Sequence, residues 1–269
     1  MRRLIIAGFA TFLVATQAFS SAEVCINHET NVLEVRAHYF FYGNQAWHKY
    51  AKPCIDEINR IFNEGDRSIQ LNKTGAWRKL RFNVTYEIMK EKNDEDAVLR
   101  KIYYNINPKY NYARIDQPPK GASVYVSEHA LKGNTGYFDI RNGLGESTTC
   151  GHEFGHGLGL EHPEPCDFRG KGVPPVMGNR GCLVDAKFQY NPKARAGGEG
   201  GTVNPVHRRM TNSEFQQLNL GDLDYRFRTQ NLECAKLGRA RNTMYDGKGN
   251  IVKANFLNTL PDIPLKLMP

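Results

Sequence analysis

The chain has 269 residues, 40% hydrophobic and 24% charged, a balance that excludes a disordered polyelectrolyte and allows a sizeable core. Its 36 lysines and arginines against 28 acidic residues give a formal charge of +8. That excess favours anionic surfaces, but the basic residues are dispersed and match no recognition module, which argues against a nucleic-acid protein.

Arg2 and Arg3 precede an apolar run from Leu4 to Phe19. Ser20-Ser21-Ala22 then puts small residues at the minus-three and minus-one positions of a signal-peptidase site, so residues 1–22 are expected to be a leader and Glu23 the mature start. The run falls short of the roughly 20 residues a membrane span needs, and no other long apolar stretch follows. The expectation is export by the general secretory route to the periplasm or the extracellular space, without stable membrane insertion. Six cysteines (Cys25, Cys54, Cys150, Cys166, Cys182 and Cys234) lie beyond the leader. An even number in an oxidising compartment points to disulfides whose pairing the sequence leaves open. Cys166 and Cys182 bracket a loop rich in glycine and proline and are expected to pair. Cys150 either pins the front of the helix that follows it or is a free thiol.

Val32 to Phe41, rich in β-branched and aromatic residues, predicts a first strand. Trp47, Tyr50, Ala51, Cys54, Ile55, Ile58 and Phe62 recur at spacings of three and four and predict a helix, with Asn44 as its cap and Gly65 beyond its end. Leu80 to Ile88 alternates and predicts a second strand. Asp94 to Ile115 is ambiguous between helix and strand in its first half, with Pro108 interrupting it. Pro118-Pro119 marks a turn, and Ser123–Ser127 and Tyr137–Arg141 read as short strands. The order predicts an α+β fold, a mixed sheet backed by helices. From Cys166 to Pro205 the chain is soft enough to be either a functional or a poorly ordered loop. Thr211-Asn212-Ser213-Glu214 is a capping-box pattern opening a last helix. The tail beyond Asp224, with Cys234 and a turn at Asp246–Gly249, reads as an annex tied back to the body.

The chemistry is concentrated in His152-Glu153-Phe154-Gly155-His156-Gly157-Leu158-Gly159-Leu160-Glu161-His162. Histidines four apart on a helix share one face, so His152 and His156 can ligate one ion. A continuous helix would carry His162 about 600° round, off that face. Gly159 can turn the chain left-handed and bring His162 back as a third ligand. Three imidazoles leave a tetrahedral zinc ion one open position, the arrangement of a catalytic site. Glu153 stands beside that position as general base for a water attacking a carbonyl, and it can return the proton to the leaving amine. The implied reaction is hydrolysis of an internal peptide bond in a protein or peptide substrate, with one Zn2+ as cofactor.

The run resembles the HExxHxxGxxH signature of the metzincin clan of zinc metallopeptidases, closest to its matrixin-like and serralysin-like catalytic domains. The resemblance is tight over residues 147–178, looser to 220 and weak elsewhere. It implies a zincin domain over residues 23–224, with a twisted sheet above a substrate cleft and a small lower subdomain from about 163. Residues 225–269 would then be an extension packed on that domain. It also implies that Met177, in Val176-Met177-Gly178, forms the methionine turn beneath the metal. Asn179 stands where serralysin-like and astacin-like enzymes have a metal-proximal tyrosine, and no cysteine-switch propeptide is present, so the chain fits the clan without matching one family. A protease of this kind delivered as a toxin would need a cognate proteinaceous inhibitor in the producing cell. Two other readings stay open: a zinc-containing binding or adhesion protein with little turnover, and a zinc amidase acting on cell-envelope material. His129 and His207 read as ordinary histidines, and Tyr137 and Phe138 as either cleft lining or core. Asp139 and Asp185 could join a structural Ca2+ site, but no oxygen-rich loop supports one.

Overall fold

Alternation and helical periodicity place the elements that carry the body. In the computed structural model, which describes residues 21–107, 109–117, 127–237 and 243–253, β1 (Ala22–Asn27) turns into the long β2 (Val32–Tyr42), and α1 (His48–Phe62) follows. Then come β3 (Ser68–Gln70), β4 (Trp77–Ile88), α2 (Glu95–Tyr103), β5 (Tyr110–Asp116), β6 (Glu128–His129), β7 (Thr135–Asp139) and α3 (Thr149–Leu158). After a long irregular stretch come α4 (Asn212–Gln217), β8 (Arg226–Thr229), β9 (Leu232–Leu237) and the hairpin β10 (Thr243–Tyr245) and β11 (Ile251–Lys253). Residues 1–20 of the expected leader, the turn at Pro118-Pro119, most of the expected strand Ser123–Ser127 and the end of the tail lie outside the described residues. Among those described, no helix is long and apolar enough to cross a membrane.

The result is a mixed α+β fold. β2 is the spine of the sheet: it runs parallel to β4 on one side, and on the other pairs with β1 along its first half and β5 along its second. Beyond β5 lie β7, parallel, and then β6, antiparallel, at the edge. Alternation along β2 sends Leu33, Val35, Ala37, Tyr39 and Phe41 to one buried face, where they meet Ile55, Ile58 and Phe62 of α1 and Phe154 of α3. α2, which resolves the ambiguous segment, caps the other face with Val98, Leu99 and Ile102 packed around Tyr42 and Met244.

Two expectations change. Asn44 does not cap α1; Trp47 holds that position in extended conformation without a side-chain cap bond. The tail also does more than pack on the body. β8 and β9 join the main sheet, β9 running antiparallel to β1 with Cys234 opposite Cys25. The loop between Cys166 and Pro205 is ordered by a small core of its own, Cys182, Val184 and Val203 with Phe168 and Phe188 against them.

The cysteines form three disulfides, Cys25–Cys234, Cys54–Cys150 and Cys166–Cys182, with none left free. Cys150 therefore pins its helix, and its partner is on α1. The Cys54–Cys150 link spans 96 residues of sequence, a loop for which chain entropy alone gives an order of 5 kcal/mol. Replacing both by serine is expected to lower unfolding free energy by about 2–5 kcal/mol in a urea titration. An unchanged midpoint would show that packing alone holds α1 against α3.

Candidate metal centre

α3 is built so that its neighbours can approach closely. A Cβ on Gly155 would lie 2.4 Å from Met177 Sδ, so this turn of the helix admits only glycine while Met177 sits beneath it. Gly159 ends the helix at φ 103°, ψ 11°, the left-handed conformation its lack of a side chain permits. The turn swings the chain so that His162 comes back over His152 and His156.

The front of the helix is held from outside. Thr148 at the cap position makes no cap bond to α3. Instead Glu57, buried on α1, accepts from Gly151 N and Gly145 N, both at 3.0 Å. It thus satisfies one of the helix's free N–H groups from a neighbouring helix.

Nε2 of His162 lies 3.0 Å from Nε2 of His152 and 3.1 Å from that of His156. Nitrogens each 2.0–2.1 Å from a tetrahedral zinc would stand about 3.3 Å apart; both His162 pairs are near that spacing, and all three ligand atoms lie within 4.8 Å of one another. Nδ1 of His152 meets Val176 O, and Nδ1 of His156 meets Leu160 O, both at 2.8 Å. With those nitrogens donating, the Nε2 lone pairs face inward, the state in which imidazole binds metal. The donor set fits a zinc ion. Burial pushes His152 well below its ordinary value, and burial lowers His156 to about 4. Both are held neutral.

Arg208 adds to this. Its guanidinium is buried, donates to Gly178 O (2.7 Å) and Thr148 Oγ1 (2.7 Å), and lies 3.2 Å from His152 Nδ1. One cation thus ties the loop after Met177 to the start of α3 behind the ligands. Glu153 is buried beside them; burial raises its carboxyl well above the ordinary range, opposed by Arg208 and by a hydrogen bond from the His129 backbone N–H. Met177, 1% exposed, donates its N–H to Glu214 Oε1 (2.8 Å), while Glu214 closes the capping box with Thr211. The Glu214 carboxyl that caps the start of α4 therefore also holds the Met177 backbone.

A cavity of about 800 Å³ opens beside the histidines, walled by Glu128, His129 and Ala130 on one side and Thr243, Tyr245 and Ile251 of the C-terminal hairpin on another. A second, about 450 Å³, lies between Pro163, Phe168, Met177, Ser213 and Gln217. Glu161 and His162 line both, so the two openings meet at the third histidine.

His152, Glu153, His156, His162, Gly159 and Met177 all meet at this one place. His129 is no ordinary loop histidine; it is buried and packs edge-on to Tyr39 at the wall of the larger cavity. His207 is remote from the ligands in its packing, lying against Phe188. Phe138 belongs to the core and Tyr137 packs against Tyr245. Asp139 pairs with Arg141, and Asp185 accepts from Gly170 N; the two are engaged in separate local contacts. Sequence reasoning missed Glu57 and Arg208. A carboxylate on the apolar face of α1, three residues after Cys54, was the available sign of the first. Nothing local marks the second. Comparison with known proteins finds no matching family model, no matching curated protein and no matching solved structure.

Gly155→Ala is expected to displace Met177 and lower stability by about 1–3 kcal/mol, the usual cost of overpacking; a variant melting like the parent would show that Met177 moves freely. Burial raises the Glu57 carboxyl from an ordinary 4.5 to about 7. Its proton therefore stabilises the fold, a contribution whole below pH 4.5 and lost as pH rises to about 7. Glu57→Gln should flatten that part of the stability–pH curve; matching slopes for parent and variant would refute the assignment.

Proposed function

We propose that this chain is an exported zinc endopeptidase of the metzincin type, hydrolysing internal peptide bonds with Glu153 as general base. The observation that carries the reading is the convergence of three imidazole nitrogens, His162 Nε2 lying 3.0 and 3.1 Å from the other two, with a buried carboxyl group beside them and two cavities that meet at His162. The paired openings suit a polypeptide that continues in both directions past the scissile bond. β6 is an edge strand at the wall of the larger opening, where an extended peptide can add by backbone hydrogen bonding. Three disulfides accord with an extracellular or periplasmic location.

His152, His156 and His162 would hold the zinc ion, which when bound supplies Lewis acidity and lowers the pKa of water. The chain supplies the rest. The carbonyls of Val176 and Leu160 fix two imidazoles in orientation and tautomer. Glu153 takes a proton from the attacking water and delivers it to the departing amine nitrogen. The His129 N–H and the Arg208 charge oppose the burial that raises this carboxyl. Met177, on its tether to Glu214, supports the ligands without joining them.

The test is cleavage of a diverse peptide mixture by the zinc-loaded protein, beside Glu153→Ala and a chelated sample. Glu153→Ala should bind zinc as the parent does and lose at least about 10²-fold in turnover; chelation should abolish cleavage, and added zinc restore it. Stoichiometric zinc binding with no cleavage by the parent would overturn the reading.

A further inference from the structure

The fold begins earlier than the end of the leader that the sequence first indicates. Ala22 is the first residue of β1 and pairs with Leu237, and both it and Ser21 are fully buried. Ser21 N donates to Leu237 O at 2.8 Å, and Asn111, itself buried, donates its side-chain amide to Ser21 O at 2.7 Å. Ser21 Oγ donates to Gly157 O.

That last contact reaches the metal helix. The final carbonyls of α3 have no acceptor role left within the helix and need donors from elsewhere. Gly155 O receives Leu160 N, His156 O receives Lys132 N, and Gly157 O receives the Ser21 hydroxyl. A cut between Ala22 and Glu23 would remove that hydroxyl and the first rung of the β1–β9 ladder. It would also strip the buried Asn111 amide of its Ser21 acceptor. The sequence allows another cut: Ala18 and Ser20 are small residues at the minus-three and minus-one positions of the Ser20–Ser21 bond. The leader pattern admits both bonds, and the fold distinguishes them.

We propose that the leader is removed between Ser20 and Ser21, so that the mature chain starts with a serine that completes the C-terminal end of the metal helix. Signal peptidase meets the chain extended during translocation, so burial of this bond in the folded protein is no obstacle. Water adds across the Ser20–Ser21 amide, leaving a carboxylate on the leader and an ammonium on Ser21, which keeps its donors for Leu237 O. The inference rests on the export part of the proposed function and is independent of the chemistry at Glu153.

The experiment is export of the full chain with its own leader from a secreting bacterial host, followed by intact-mass measurement and N-terminal sequencing. Mature protein starting at Ser21 is expected. Alongside it, disulfide-intact chains starting at Ser21 and at Glu23 are compared by thermal melting. The shorter chain should melt several degrees lower, with Ser21→Ala in the longer chain lying between. A natural start at Glu23, or equal melting of the two chains, overturns the proposal. A retained leader overturns the export reading and this inference with it, whatever the peptidase assay shows.

Discussion

The contact between α1 and the front of α3 governs the geometry of everything at the candidate metal centre. α3 is short and rich in glycine, a composition that by itself favours the unfolded chain. It keeps its position because α1 grips its first turn twice, covalently through Cys54–Cys150 and by the hydrogen bond that Gly151 N donates to Glu57. Phe154 then locks into the aromatic cluster of Tyr39 and Phe62. With the axis fixed in this way, the glycines that weaken the helix become useful. They let Met177 and the neighbouring strand come nearer than any side chain would allow.

The other side of the centre is organised by two buried charges of opposite sign. Arg208 draws Gly178 O and Thr148 together, and Glu214 holds Met177 N. Both residues flank the start of α4, so a single short segment positions the floor and the rear of the ligand set. Burying a lone charge is expensive, and each is surrounded by partners that offset that expense.

Much of this was legible in the sequence, for identifiable reasons. β2, β4 and α1 are long, and their hydrophobic periods are regular. The ligand run announces itself because the spacing of His152, His156, Gly159 and His162 has meaning only on a helix that ends at the glycine. The Thr211–Glu214 capping box was equally plain. β1, β8 and β9 were missed: β1 straddles the expected leader boundary, and Arg226–Thr229 is entirely exposed and so carries no apolar alternation. Glu57 and Arg208 act across about 90 and 60 residues of chain respectively, and no local pattern encodes contacts at that range. The clan resemblance supplied a role for Met177, whereas its tether to Glu214 came only from the structure.

The pairing of β1 with β9 bears on how the molecule is made. The strand nearest the start of the fold finds its outer neighbour in a segment more than 200 residues later, and Cys25 finds its thiol partner there too. Until that segment emerges, one edge of β1 is open and Cys25 is unpaired beside Cys54 and, later, Cys150. Contacts of such sequence separation form slowly and leave strand edges exposed meanwhile. Closure of this sheet is therefore paced by the last third of the chain, and an early cysteine that is wrongly joined must be released before β9 can take its place.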